Sequence, residues 1–285
     1  MTLRFSLLFI FAFTSVQAQN YATDSLNFAK AKWDVQKIAP KTKLKTVHIN
    51  DSSLFNSNQF ISVIELKKPG RKIELKVAGH EKILYTTSAF GKENNAIAAI
   101  NGTFFDIKNG GSVDFVKGSG KDINQTRFGE NGARSAHQKS AVSSSGRGVN
   151  ILKWDGTPDW ESKLKESDIM VSGPLLIHQD TLQALDQSSF TIARHPRSVV
   201  GTKKDGTVLL VTVDGRQSNS AGMSLPELTK LMKWLGSKSA INLDGGGSTT
   251  LWIEKGVVNY PSDNKMWDHA GERKVANVIL LTKKK

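Results

Sequence analysis

Short apolar runs, each closed by glycine, asparagine or proline, recur along this chain and leave little room for a helical fold. The segments 60–66, 73–77, 96–100, 175–177, 198–201, 208–213, 251–253 and 275–281 have this form, which is how strands are bounded. One helix is clearly signalled. Ser224 and Glu227 form a capping box, Leu225, Leu228, Leu231, Met232 and Leu235 line one face, and Gly236 stands at its end. Many strands and few helices predict an α+β domain with a mixed or antiparallel sheet core. Pro69-Gly70 reads as a hairpin turn joining the first two strands, and 106–150, rich in Gly, Ser, Asn and Lys, reads as long functional loops with poorly marked strands. No linker separates two cores, so residues 60–285 are read as a single domain and 19–59 as an N-terminal extension packing on it.

The 285 residues include no Cys. That excludes disulfide frameworks, thiolate metal sites and thiol nucleophiles. The 39 Lys+Arg against 26 Asp+Glu give a formal charge of +13, which suits an anionic partner, but the cations are dispersed rather than clustered. At the N-terminus Arg4 precedes an apolar run and then Ser15-Val16-Gln17-Ala18. This is the grammar of a signal peptide, residues 1–18, cut after Ala18. The expected product is exported, periplasmic or extracellular, without stable membrane insertion and without a nucleic-acid partner. Its oligomeric state is open.

Three strands end in the same way. Asn242-Leu243-Asp244-Gly245-Gly246-Gly247-Ser248, Val213-Asp214-Gly215-Arg216 and Ile100-Asn101-Gly102, with Asp106 following, each place a polar residue and glycine at a strand terminus. Convergence at one sheet edge would build a pocket of carboxylates and backbone amides. Such acids suit either sugar chemistry or a divalent cation, Ca²⁺ or Mg²⁺. Arg197, Arg216 and Arg273 stand near these features and carry the planar fork that clamps phosphate. The six histidines show no metal-ligand spacing and read as ordinary packing or surface residues. Trp154, Trp160 and Trp267 are candidate sugar-stacking rings, although packing is the commoner role.

The ordered motifs Ala99-Ile100-Asn101-Gly102-x-Phe104-Phe105-Asp106, Ser172-Gly173-Pro174, Arg197 to Gly201, Asp214-Gly215-Arg216, Gly222-Met223-Ser224-Leu225, Asn242 to Ser248 and Glu272-Arg273-x-x-Ala276-Asn277 resemble the phosphodiester glycosidase family. Thr103 departs from the glycine common there. The resemblance covers roughly residues 60 to 285 and implies hydrolysis of a sugar-1-phosphodiester, of the GlcNAc-α-1-phospho type, at the anomeric C–O bond. It implies Asp214 and Asp244 as the reacting carboxylates, nucleophile or general base. Arg197 and Arg273 would hold the phosphate, with Asn101, Asn277 and the Gly245, Gly246 and Ser248 loop positioning substrate and Asp106 and Arg216 completing the binding set. A glycosidase on unphosphorylated exopolysaccharide and a non-catalytic glycan-binding protein fit the same residues.

Overall fold

The strand signals of the sequence translate into antiparallel sheets. The structure, a computed structural model, describes residues 22–67, 69–145 and 148–284; the signal-peptide reading of 1–18 lies outside them. The largest sheet has eight strands, in the order Asp34–Ala39, Thr42–Leu54, Ser57–Leu66, Val208–Val213, Arg197–Lys203, Ser237–Asn242, Leu175–His178 and Thr181–Leu182. Residues 19–59 thus supply two of its strands, preceded by a helix over 22–30. A five-stranded sheet contains Ile73–Gly79, Ala98–Asn101, Leu251–Ile253 and Asn277–Lys283, and another contains Ser140–Ser144, Val149–Lys153 and Asp168–Ser172. The fold is α+β with few helices.

The central strand 208–213 reads as an unbroken apolar run because both of its faces are buried. Leu210 pairs with Val200 in the core shared by the sheets, which also holds Leu75, Ile100, Val142, Met170, Ile241 and Ile279. Its neighbour Val211 pairs with Val199 on the opposite face, against Leu228, Leu231 and Met232 of the helix Leu225–Trp234. Each such side chain contributes about 1.5–3 kcal/mol through burial. That helix begins as expected, with Ser224 Oγ accepting from Glu227 N and the Glu227 side chain returning to Ser224 N.

One expectation is corrected. Pro69-Gly70 does not close a hairpin, because 57–66 pairs with 42–54 and 208–213 while 73–79 pairs with 277–283 in another sheet. Of the poorly marked strands in 106–150, Ser140–Ser144 is fully buried and paired on both edges. Its serines hide it from a hydrophobicity reading. They are tolerated in the core because partners are at hand, as where Ser140 Oγ donates to Ser172 O at 2.7 Å.

The Gly222-Met223-Ser224 motif has a packing reason. Gly222 has φ +85°, and a Cβ there would stand 2.4 Å from His195 O. Met223 and His195 exchange backbone hydrogen bonds directly alongside. Gly222→Ala should therefore destabilise the protein by about 1–3 kcal/mol, measured as a lowered urea midpoint at unchanged m; an unchanged midpoint would refute this account.

Candidate active site

The three strand termini do meet, through side-chain amides. Asn101 Nδ2 donates to Asp244 O at 2.7 Å, and Asn101 Oδ1 accepts from Ser198 Oγ at 2.6 Å and Thr250 N at 3.1 Å. Asp244 N donates to Gly102 O at 3.0 Å. Asn259 links the third terminus, donating to both Asp214 Oδ1 and Thr249 O. Asn101 is thus a positioning residue, with its amide wholly spent on holding the strand ends together.

The two acids have different surroundings. Asp214 is 1% exposed, and its oxygens accept from Asn259 Nδ2 at 2.7 Å and Tyr260 N at 2.9 Å. Burial pushes its carboxyl up to about 7, against the pull of those two donors. Asp244 is partly open to solvent, with Oδ1 accepting only from Gly245 N at 2.9 Å. Its carboxyl is also raised by the surrounding protein and by the charge of Asp114, while Arg273 opposes. The neighbouring Ser248 hydroxyl and Gly245 N oppose the rise as well.

The glycine loop admits two guanidinium groups. Gly246, at φ +60°, lies against Arg216, where a Cβ would stand 3.0 Å from Nη2, and Gly247 lies against Arg273 and Asp263 in the same way. Arg273 is ion-paired with Asp263 at 2.5 Å. Arg216 is exposed and makes no ion pair among the described residues. Burial, and then the charges of Arg197 and Arg216, lower the pKa of His195, so this corner carries excess positive potential.

Three of the expected binding residues are bonded to the protein itself. Arg197 is fully buried, donating to the carbonyls of Met223, Phe190 and Ala193 at 2.7–3.0 Å, so most of its fork is unavailable to phosphate. Burial and the neighbouring Arg216 bring its guanidinium down to about 10. Asp106 turns back on its own loop, accepting from Lys108 N, Asn109 and Arg127, which hold it at about 2. Asn277 is buried and accepts from Thr103 N at 2.7 Å, with Nδ2 unpartnered. Trp154 and Trp160 pack over the Arg134 guanidinium at 5.4 and 5.9 Å rather than offering a free face, and Trp267 stacks on Tyr260 at 4.0 Å. Among the described residues no three His, Asp or Glu side chains are grouped to hold a metal ion.

The sequence reading passed over Asp114 and His137. Asp114 is fully buried beside Thr103, which donates to Oδ2 at 2.7 Å, and it faces His137 Nδ1 at 2.9 Å. The two stand 23 positions apart, on either side of the paired strands Val116–Gly118 and Lys121–Asn124, and no local spacing signals their pairing.

The arrangement is a strand-edge carboxylate beside a glycine loop flanked by two arginines. Residues 94–282 match the family described as phosphodiester glycosidase. The chain belongs to that family. It is 31% identical over 122 residues to the mouse (Mus musculus) N-acetylglucosamine-1-phosphodiester alpha-N-acetylglucosaminidase, covering 41% of this chain and 23% of that protein. It is 39% identical over 70 residues to the SPbeta prophage-derived uncharacterized protein YomE of Bacillus subtilis, covering 25% of this chain and 11% of that one. The chain therefore spans less than a quarter of the length of either relative. The zebrafish N-acetylglucosamine-1-phosphodiester alpha-N-acetylglucosaminidase catalytic domain superposes with TM-score 0.67 at 20% identity over 89% of this chain and 88% of that one, a likeness of fold.

Proposed function

We propose that this chain hydrolyses a sugar-1-phosphodiester of the GlcNAc-α-1-phospho type at the anomeric C–O bond, giving free sugar and a phosphomonoester. The observation that carries this reading is the placing of a partly open Asp244 beside a glycine loop that two arginines flank. Breaking the C1–O bond builds oxocarbenium charge on the sugar, which Asp244 stabilises or traps. Phosphate is already a good leaving group, so the arginines matter more than a strong general acid. Arg216 and Arg273 take the phosphate. Ser248 and the loop amides orient the sugar, and Asp214 works from beneath by holding Asn259 and Tyr260. Export follows from residues 1–18 acting as a signal peptide. No helix among the described residues is long and apolar enough to cross a membrane.

Turnover of α-GlcNAc-1-phospho-methyl in ¹⁸O-labelled water tests the reaction. Label on the sugar supports C1–O cleavage. Label on the phosphate makes the protein a phosphodiesterase, and absence of turnover across a set of sugar-1-phosphodiesters rejects the proposal. Arg216→Ala should raise KM for the diester about tenfold, the loss of one charge-assisted contact, with kcat little changed. An unchanged KM would remove Arg216 from the phosphate site.

A further inference from the structure

We propose that His137 is the catalytic base of this site, oriented by Asp114, and that it takes the proton from the water that attacks the sugar. The substrate is that of the function proposed above, on which this inference rests; the assignment of the residue rests on geometry.

Asp114 is a fully buried carboxylate whose two oxygens are both engaged. Oδ2 accepts from Thr103 Oγ1 at 2.7 Å, and Oδ1 lies 2.9 Å from His137 Nδ1. A carboxylate in that place fixes the proton on Nδ1 and leaves Nε2 with its lone pair. Nε2 has no hydrogen-bond partner among the described residues, and the side chain is 26% exposed, so the free nitrogen has access to solvent and ligand. The ring is also held from two sides. Phe104 packs against it at 4.6 Å. Gly173 lies against the turn that carries it, and a Cβ there would stand 2.9 Å from Ala136 O and 3.0 Å from His137 Cα. The other described histidines lack this arrangement. His48 and His269 face backbone carbonyls, and His80 is 3.9 Å from the exposed Glu93.

The dyad is tied to the Asp244 strand end through Gly102 and Thr103. Thr103 follows Gly102, whose carbonyl accepts from Asp244 N, and Thr103 Oγ1 then reaches Asp114. Asp114 also acts on Asp244 through space. The charged group in contact with His137 is Asp114; on its own segment Lys139 lies two residues on, and Arg134 Nη1 donates to Gln138 O next to it. Phe104 and Gly173, packed against it from the other elements, carry no charge.

In the step assigned to it, the water oxygen bonds to C1 as the C1–O bond to phosphate breaks. That electron pair leaves with the phosphomonoester, which becomes a dianion. The water proton passes to Nε2, the resulting imidazolium is held against Asp114, and the proton is then released to solvent. Asp244 carries the positive charge at C1 and needs no proton change. A positioned base of this kind contributes about 10²–10⁴-fold.

The test begins with ¹⁵N NMR of the intact wild-type protein, which needs no substrate. The Nδ1–H tautomer of His137 is expected above the pH at which the ring is protonated, and an Nε2–H tautomer would overturn the dyad. On a diester that the wild type turns over, His137→Ala should lower kcat about a hundredfold or more, lose the acid limb of the kcat/KM profile and recover activity with added imidazole. Asp114→Asn should lower kcat and reshape the same limb at near-constant KM, which a merely structural role would not do. Wild-type kcat and pH profile in His137→Ala would overturn the proposal; His137→Gln replaces it if the alanine variant does not fold. Failure of the wild type on every diester would reject the proposed function, while the tautomer still decides the dyad.

Discussion

Asp244→Asn should reduce kcat on a sugar-1-phosphodiester about a thousandfold without unfolding the protein. Asn keeps the oxygen that accepts from Gly245 N at 2.9 Å, and the backbone N–H and C=O of residue 244 keep their bonds to Gly102 and Asn101. What it loses is the negative charge facing C1, in a site where such a charge is worth on the order of 4 kcal/mol to the transition state. Steady-state kinetics with a circular-dichroism control measure it. A loss below tenfold in a folded variant would move the reacting carboxylate elsewhere.

The second large effect is on stability, and it comes from Asp214. Its carboxyl ionises near 3.8 in a solvated chain and at about 7 in the folded protein, because burial disfavours the charge. Between those values the folded state binds the extra proton, so folding takes up a proton and stability falls as pH rises. The contribution is fully present below about pH 4 and is lost on passing through pH 7. A shift of this size corresponds to about 4 kcal/mol. Asp214→Asn cannot ionise. The wild type should therefore lose thermal stability relative to that variant between pH 4 and 8, and parallel melting-temperature curves over that range would refute the assignment.

Much of the fold was legible because burial leaves a mark in sequence. The 208–213 strand is apolar at every position since both of its faces are covered, and the capping box at Ser224 follows from local backbone chemistry. The 140–144 strand was illegible for the converse reason: its serines are satisfied by distant partners such as Ser172. The site divided in the same way. Asp214, Asp244, Arg216, Arg273 and the glycine loop stand in short motifs, because a strand end and a tight turn are local events.

The sequence alone determined the strand-rich α+β class, the family and the set of polar strand ends that build the pocket, all of which are written in residue type and near-neighbour order. Tertiary structure decided what each of those groups is free to do. Arg197 and Arg216 look alike in sequence, yet one is buried and spent on three backbone carbonyls and the other is exposed beside the glycine loop. Asp114 and His137 became a pair only when the chain between them, including the strand pair Val116–Gly118 and Lys121–Asn124, folded back, since contact across 23 residues depends on packing and leaves no periodic trace.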